Sequence, residues 1–140
     1  MERRKTESDA KAEEEIAAAA AAWSGATYVP FGHELSCCDG LFIRDGKVVA
    51  LAEIKDRSIE FGFGDCFKVS ERKVRACRGI ARLTGAKPFL IARFGCGKIA
   101  CLDLDREYTP SWWGRDDRGD PADKGQCAGF QWSDFKLVAP

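Results

Sequence analysis

Residues Asp39–Lys55 read DGLFIRDGKVVALAEIK. Two runs of strand-forming residues flank an Asp-Gly pair, the composition of a β-hairpin. The second run, VVALAEIK, is apolar enough to lie inside a sheet. Yet an acid opens the hairpin at Asp39, and an acid and a lysine close it at Glu53 and Lys55. Burying an unpaired charge costs on the order of several kcal/mol, so these charges need partners, hydrogen bonds or a metal ion.

Strand side chains alternate, so Leu51, Glu53 and Lys55 share one face, and Ala52 and Ile54 the other. The turn decides whether Asp39 joins Glu53. A two-residue turn at Asp45-Gly46 pairs Arg44 with Lys47 and sets Asp39 opposite Ala52, facing away. A three-residue turn pairs Ile43 with Lys47 and brings Asp39 onto the face of Glu53 and Lys55. Both turns are common. The chemistry favours the second register or an equivalent bulge, because acids clustered beside a lysine form a site. Two carboxylates with room between them bind a hard cation such as Mg²⁺, and a nearby lysine can stabilise a developing anion or orient water. The structural alternative is an ion pair between Lys55 and one acid, with the other acid solvated.

Outward from the hairpin, residues 1–8 are polar and expected to fray. An alanine-rich helix is predicted from about Asp9, a plausible N-cap, to Trp23, with Gly25 past its end. Thr27–Phe31 reads as a strand with an edge or bend at Pro30. Ser58–Val69 is rich in Gly and Phe and lacks a helical period, so a loop is expected. Ser70 caps a second helix running to about Thr84. Phe89–Phe94 and Ile99–Leu104 form a second hairpin around Gly95–Lys98. Arg106–Gln126 holds repeated Pro and Gly and reads as loop-like. The predicted architecture is α/β, a mixed central β-sheet flanked by helices in the order α-β-β-β-α-β, with a core over 9–104 and a loop-rich extension over 105–140.

In that order and in the spacing of Asp39 from Glu53-Ile54-Lys55, the chain resembles the PD-(D/E)XK nuclease superfamily and its restriction-endonuclease-like core. It looks most like small Holliday-junction resolvases and phage nucleases. Cys38 stands where the motif name has proline. The resemblance implies a Mg²⁺-dependent DNA endonuclease, with Mn²⁺ as a substitute ion. Asp39, Glu53 and the backbone of Ile54 would hold the metal, and Lys55 would assist the water or the transition state. Many members add a glutamate from the first helix, about eleven residues before its terminal glycine. Counting back from Gly25 gives Glu14, with Glu13 or Glu15 as alternatives if the helix is rotated. A polar residue on the second helix often faces the site, and Ser70 or Lys73 would match.

Composition sets the limits. The chain has 140 residues, 45% hydrophobic and 31% charged, with 22 basic and 22 acidic side chains. Zero net charge gives no global pull toward nucleic acid, so DNA contact must rest on local patches. Lys68, Arg72 and Lys73, with the stripe Arg75, Arg78 and Arg82, supply one such patch or a solvated helix face. The Trp112–Asp123 stretch reads as a nucleic-acid clamp, a C-terminal flap or a homodimer contact. His33 is a structural or a catalytic histidine. Seven cysteines without a Cys-x-x-Cys pair point to reduced thiols, largely buried, rather than zinc or a disulfide framework. The longest apolar run, Ile16–Trp23, follows three glutamates and is too short to cross a membrane. A cytoplasmic protein without membrane contact is expected.

Overall fold

The structure, a computed structural model, describes residues 6–31, 38–113 and 125–139. Helix α1 spans Glu7–Ser24 and α2 spans Glu71–Thr84. The strands are β1 (Thr27–Pro30), β2 (Gly40–Arg44), β3 (Lys47–Asp56), β4 (Phe67–Ser70), β5 (Lys87–Arg93), β6 (Ile99–Asp103), β7 (Thr109–Trp113), β8 (Gly125–Phe130) and β9 (Lys136–Ala139). A mixed six-stranded sheet runs β1-β2-β3-β5-β6-β9, and a three-stranded sheet runs β4-β8-β7. The α/β class, the mixed sheet and the flanking helices match the sequence expectation, and the architecture suits a restriction-endonuclease-like core. β3 and β5 are parallel, joined through α2, and the other neighbours in the large sheet are antiparallel.

The large sheet separates two cores. On one face, α1 sets Ile16, Ala17 and Ala20 against Phe42, Ala50, Ala52, Ile54 and Ile91. Alanines bring the helix close because they project little beyond the backbone. On the other face, Val74, Cys77 and Ala81 of α2, spaced by three and four residues, meet Leu51, Leu90, Ala92 and Leu102. Phe67, Val69, Ala128 and Phe130 of the small sheet join this second core.

Four local expectations are corrected. The N-cap of α1 is Thr6, not Asp9. Thr6 Oγ1 accepts from the Asp9 amide at 3.1 Å while the Asp9 carboxylate accepts from the Thr6 amide at 3.0 Å, a reciprocal capping box. Residues 7 and 8, within the stretch expected to fray, belong to the helix. Strand β4 occupies the end of the stretch read as loop, because β8 offers it a partner from Phe67↔Phe130 to Ser70↔Cys127. The supposedly irregular stretch after Arg106 carries β7 and the start of β8, paired to each other. Gly and Pro weaken a strand signal locally, and tertiary pairing overrides it.

No disulfide joins any two of the six described cysteines, four of which are buried. Cys96 is exposed and Cys66 half-buried; Cys37 lies outside the described residues. Cys38 and Cys77 bring their sulfurs to 3.2 Å. No described helix is long and apolar enough to cross a membrane.

Candidate functional site

The Asp45-Gly46 turn takes the two-residue form, with φ of 53° and 74° at its centre, and Arg44 pairs with Lys47. Positive φ at both positions matches the strand twist. That register alone would turn Asp39 away from Glu53. The ladder then shifts between Phe42 and Ile43: Ile43 faces Val48 but Phe42 faces Ala50, leaving Val49 as the extra residue of a β-bulge. Beyond it Leu41 faces Leu51 and Gly40 faces Ala52. Asp39 lies just before the paired residues of β2, its amide donating to the Ala52 carbonyl at 2.9 Å and its carbonyl accepting from the Phe31 amide at 2.9 Å. Its negative charge is felt by Lys73, the α2 lysine that reaches Glu53. The three-residue turn does not occur, and a bulge restores the parity it would have given.

Asp39 sits where β2 separates from β3. Its carboxylate accepts from the Ile54 amide at 2.6 Å, taking the place of a ladder hydrogen bond. Glu53 is 4% exposed. Its Oε1 takes ammonium groups from Lys55 at 3.0 Å and Lys73 at 3.1 Å. Burial pulls the Lys55 pKa below its ordinary value, and the charge of Glu53 only partly opposes this. Burial also works against the charge of Lys73, but Glu53, through charge and hydrogen bond, and Asp39 outweigh it, and its pKa is raised.

Tyr28 of β1 was not among the sequence candidates. Its hydroxyl donates to Glu13 of α1 at 3.0 Å, and its ring packs on Phe42 with centroids 5.0 Å apart. Gly40 makes room for it: a Cβ there would lie 2.6 Å from the Tyr28 ring carbon and hydroxyl and from the Val29 carbonyl. Burial, then the charges of Glu13, Asp39 and Glu53, drive the phenol pKa far above its ordinary value, so it stays protonated. The one sequence signal was the Asp-Gly pair at 39–40.

The remaining candidates separate. Glu14, reached by counting from Gly25, is exposed, and Glu13 is the acid turned toward Tyr28. The helix is rotated by one position, about 100°, from the rotation that favoured Glu14. Glu15 instead pairs with Arg93 at 2.8 Å. Lys73 reaches Glu53. Ser70 stands at the N-cap of α2 without a side-chain capping bond. Lys68 and Arg72 are exposed, and Arg75 is exposed beside its partner Glu71. Arg78 leaves the basic stripe: it donates to the carbonyls of Leu104 at 2.6 Å and Arg106 at 2.5 Å, under Tyr108. His33 and, beyond Trp113, the Trp112–Asp123 stretch lie outside the described residues. Among the described residues no three His, Cys, Asp or Glu side chains gather closely enough to hold a metal by themselves.

Residues 1–138 match the family described as "Phage putative PDDEXK endonuclease". No curated protein matches the chain.

Proposed function

The chain belongs to the phage PDDEXK endonuclease family, and on that premise we propose that it is a divalent-metal-dependent DNA endonuclease with resolvase-like preference for branched DNA. The observation that supports this reading is the hydrogen bond from the Ile54 amide to the Asp39 carboxylate at 2.6 Å, which holds that acid beside the segment Glu53–Lys55.

The donor set suits a hard cation. It consists of oxygen only: the carboxylates of Asp39 and Glu53 and the carbonyl of Ile54, at the point where the strands part. Mg²⁺ fits, with Mn²⁺ as a substitute. A bound divalent ion polarises the phosphate and lowers the pKa of a coordinated water. Asp39, anchored on the Ile54 amide, presents its carboxylate from a fixed position. Two lysines meet Glu53 in its buried place. Lys55, its proton loosened by burial, orients the attacking water or offsets charge building on the phosphate. Lys73 holds Glu53 from the α2 side. Exposed Lys68, Arg72 and Arg75, with Ser70, line the approach for backbone phosphates.

The same triad favours a second reading, in which Glu53, Lys55 and Lys73 form a structural ion cluster in a protein that binds DNA without cutting it, or does neither. One panel separates the readings. Linear duplex, single-stranded, nicked and four-way-junction DNA are each incubated with Mg²⁺ or Mn²⁺. Metal-dependent cleavage, strongest on the junction, is expected. Binding without cleavage under all conditions supports the inactive binder, and neither binding nor cleavage supports the ion cluster.

A further inference from the structure

We propose that Tyr28 is a positioning residue of the Asp39–Glu53 site, holding Glu13 of α1 turned toward the cation that those two carboxylates bind. The inference rests on the metal-dependent reading above.

Three observations on different elements converge. The phenol hydroxyl donates to Glu13 at 3.0 Å. The chain is cleared for that phenol at Gly40, the neighbour of Asp39, where a Cβ would meet the ring and hydroxyl at 2.6 Å. The phenol thus lies against the backbone that carries Asp39. On α1, Glu14 and Glu15 are exposed, whereas Glu13 is half-buried and held. An unheld glutamate on a helix surface samples several rotamers, most of them toward water. A hydrogen bond from a packed tyrosine removes that freedom and holds a negative charge on the phenol that the charges of Asp39 and Glu53 also reach.

The chemistry requires the protonated phenol. A tyrosine O–H has one proton, and here Glu13 receives it, so the phenol cannot itself donate to Asp39. Burial and the surrounding carboxylates keep that proton in place. Glu13 need not touch the ion. A carboxylate at such a remove attracts a divalent cation through space and accepts hydrogen bonds from its water shell. Residues of this kind change metal affinity by about 10- to 100-fold when removed.

The test is a calorimetric Mn²⁺ titration of DNA-free protein: wild type, Tyr28→Phe, Glu13→Ala and the double variant. Phe keeps the ring against Phe42, so packing is retained and only the hydroxyl is lost. About tenfold weaker binding is expected for each single variant. The double variant should be no weaker than Glu13→Ala, because the hydroxyl acts only through that acid. Tyr28→Phe binding Mn²⁺ within about twofold of wild type overturns the inference, as does a double variant in which the two losses multiply. Should Tyr28→Phe melt before titration, Glu13→Asp takes its place. That variant shortens the acid by one methylene beside an intact Tyr28, must weaken binding similarly, and overturns the inference if it does not. A wild-type chain that binds no Mn²⁺ overturns the site reading and this inference together. A chain that binds and cleaves, but ignores Tyr28→Phe, overturns this inference alone.

Discussion

Two charged clusters stand at the end of β3 on opposite faces of the sheet. Glu53 and Lys55 point to the α2 side, where Lys73 joins them. Asp56, the next residue, points to the α1 side, where Arg93 meets it at 3.1 and 3.2 Å and also reaches Glu15 at 2.8 Å. The first cluster is one acid between two ammoniums, with the acid buried. The second is one guanidinium between two acids, open to solvent. In the second, a planar fork meets a carboxylate in two parallel bonds, and each charge remains hydrated. It ties α1 to β5 and leaves nothing over. In the first, two point charges share one oxygen of an acid withdrawn from water, and the charge of Asp39 also acts on Lys73. The buried cluster is the one on which the proposed site draws, and the hydrated one braces α1 against the sheet.

The sharpest way to break this comparison is Lys55→Ala. Loss of a positioned charge-stabilising group is expected to lower cleavage by about 10²- to 10³-fold, while Mn²⁺ affinity is kept, since an ammonium binds no cation. A wild-type rate in a DNA-cleavage assay would make the buried cluster as structural as the exposed one. Next in size is Glu53→Gln. It leaves two partly exposed ammoniums facing a neutral amide, and about 2 kcal/mol of stability should go, short of the cost for fully buried pairs. In a 140-residue chain that is a fall in Tm of roughly 4–8 °C. An unchanged melting curve would show that the lysines do not depend on Glu53.

Arg93→Ala should do less: under about 1 kcal/mol of stability, with cleavage at the wild-type rate. A large loss of activity would merge the two clusters into one functional unit. The smallest effect is one of slope with pH. Lys55 has a folded-state pKa below its ordinary 10.5, so over the window between the two values the unfolded chain binds the additional proton. Stability contributed by this residue therefore rises with pH there. Metal-free wild type should gain on Lys55→Met in denaturant unfolding as pH climbs toward 10.5. An opposite trend would mean that attraction to Glu53 outweighs burial at Lys55.

The elements nearest in sequence were the most legible. Both helices followed from their composition and terminal glycines, and the second hairpin, β5–β6, keeps one unbroken register from Phe89↔Asp103 to Arg93↔Ile99. The common face of Glu53 and Lys55 needed only the two-residue period. The register of Asp39 was legible as a question, with parity narrowing the answer to two. The small sheet was hidden because Phe67–Ser70 and Gly125–Phe130 are short and come together from more than fifty residues apart.

By itself the sequence determined which residues carry charge in an apolar strand, the alternation that places Glu53 beside Lys55, and the family to which the pattern belongs. These are local facts, set by a repeat of two and by residue chemistry. Only the tertiary structure decided that Val49 is the extra residue of the hairpin and that the Asp39 carboxylate rests on the Ile54 amide. It also decided that Glu13 rather than Glu14 turns inward, that Lys73 completes the lysine pair on Glu53, and that Tyr28 occupies the space Gly40 leaves. A bulge is chosen by how two strands pack on their neighbours, and a helix rotation by which alanines fit the sheet. Both depend on contacts between residues far apart in the chain, which a local pattern does not contain.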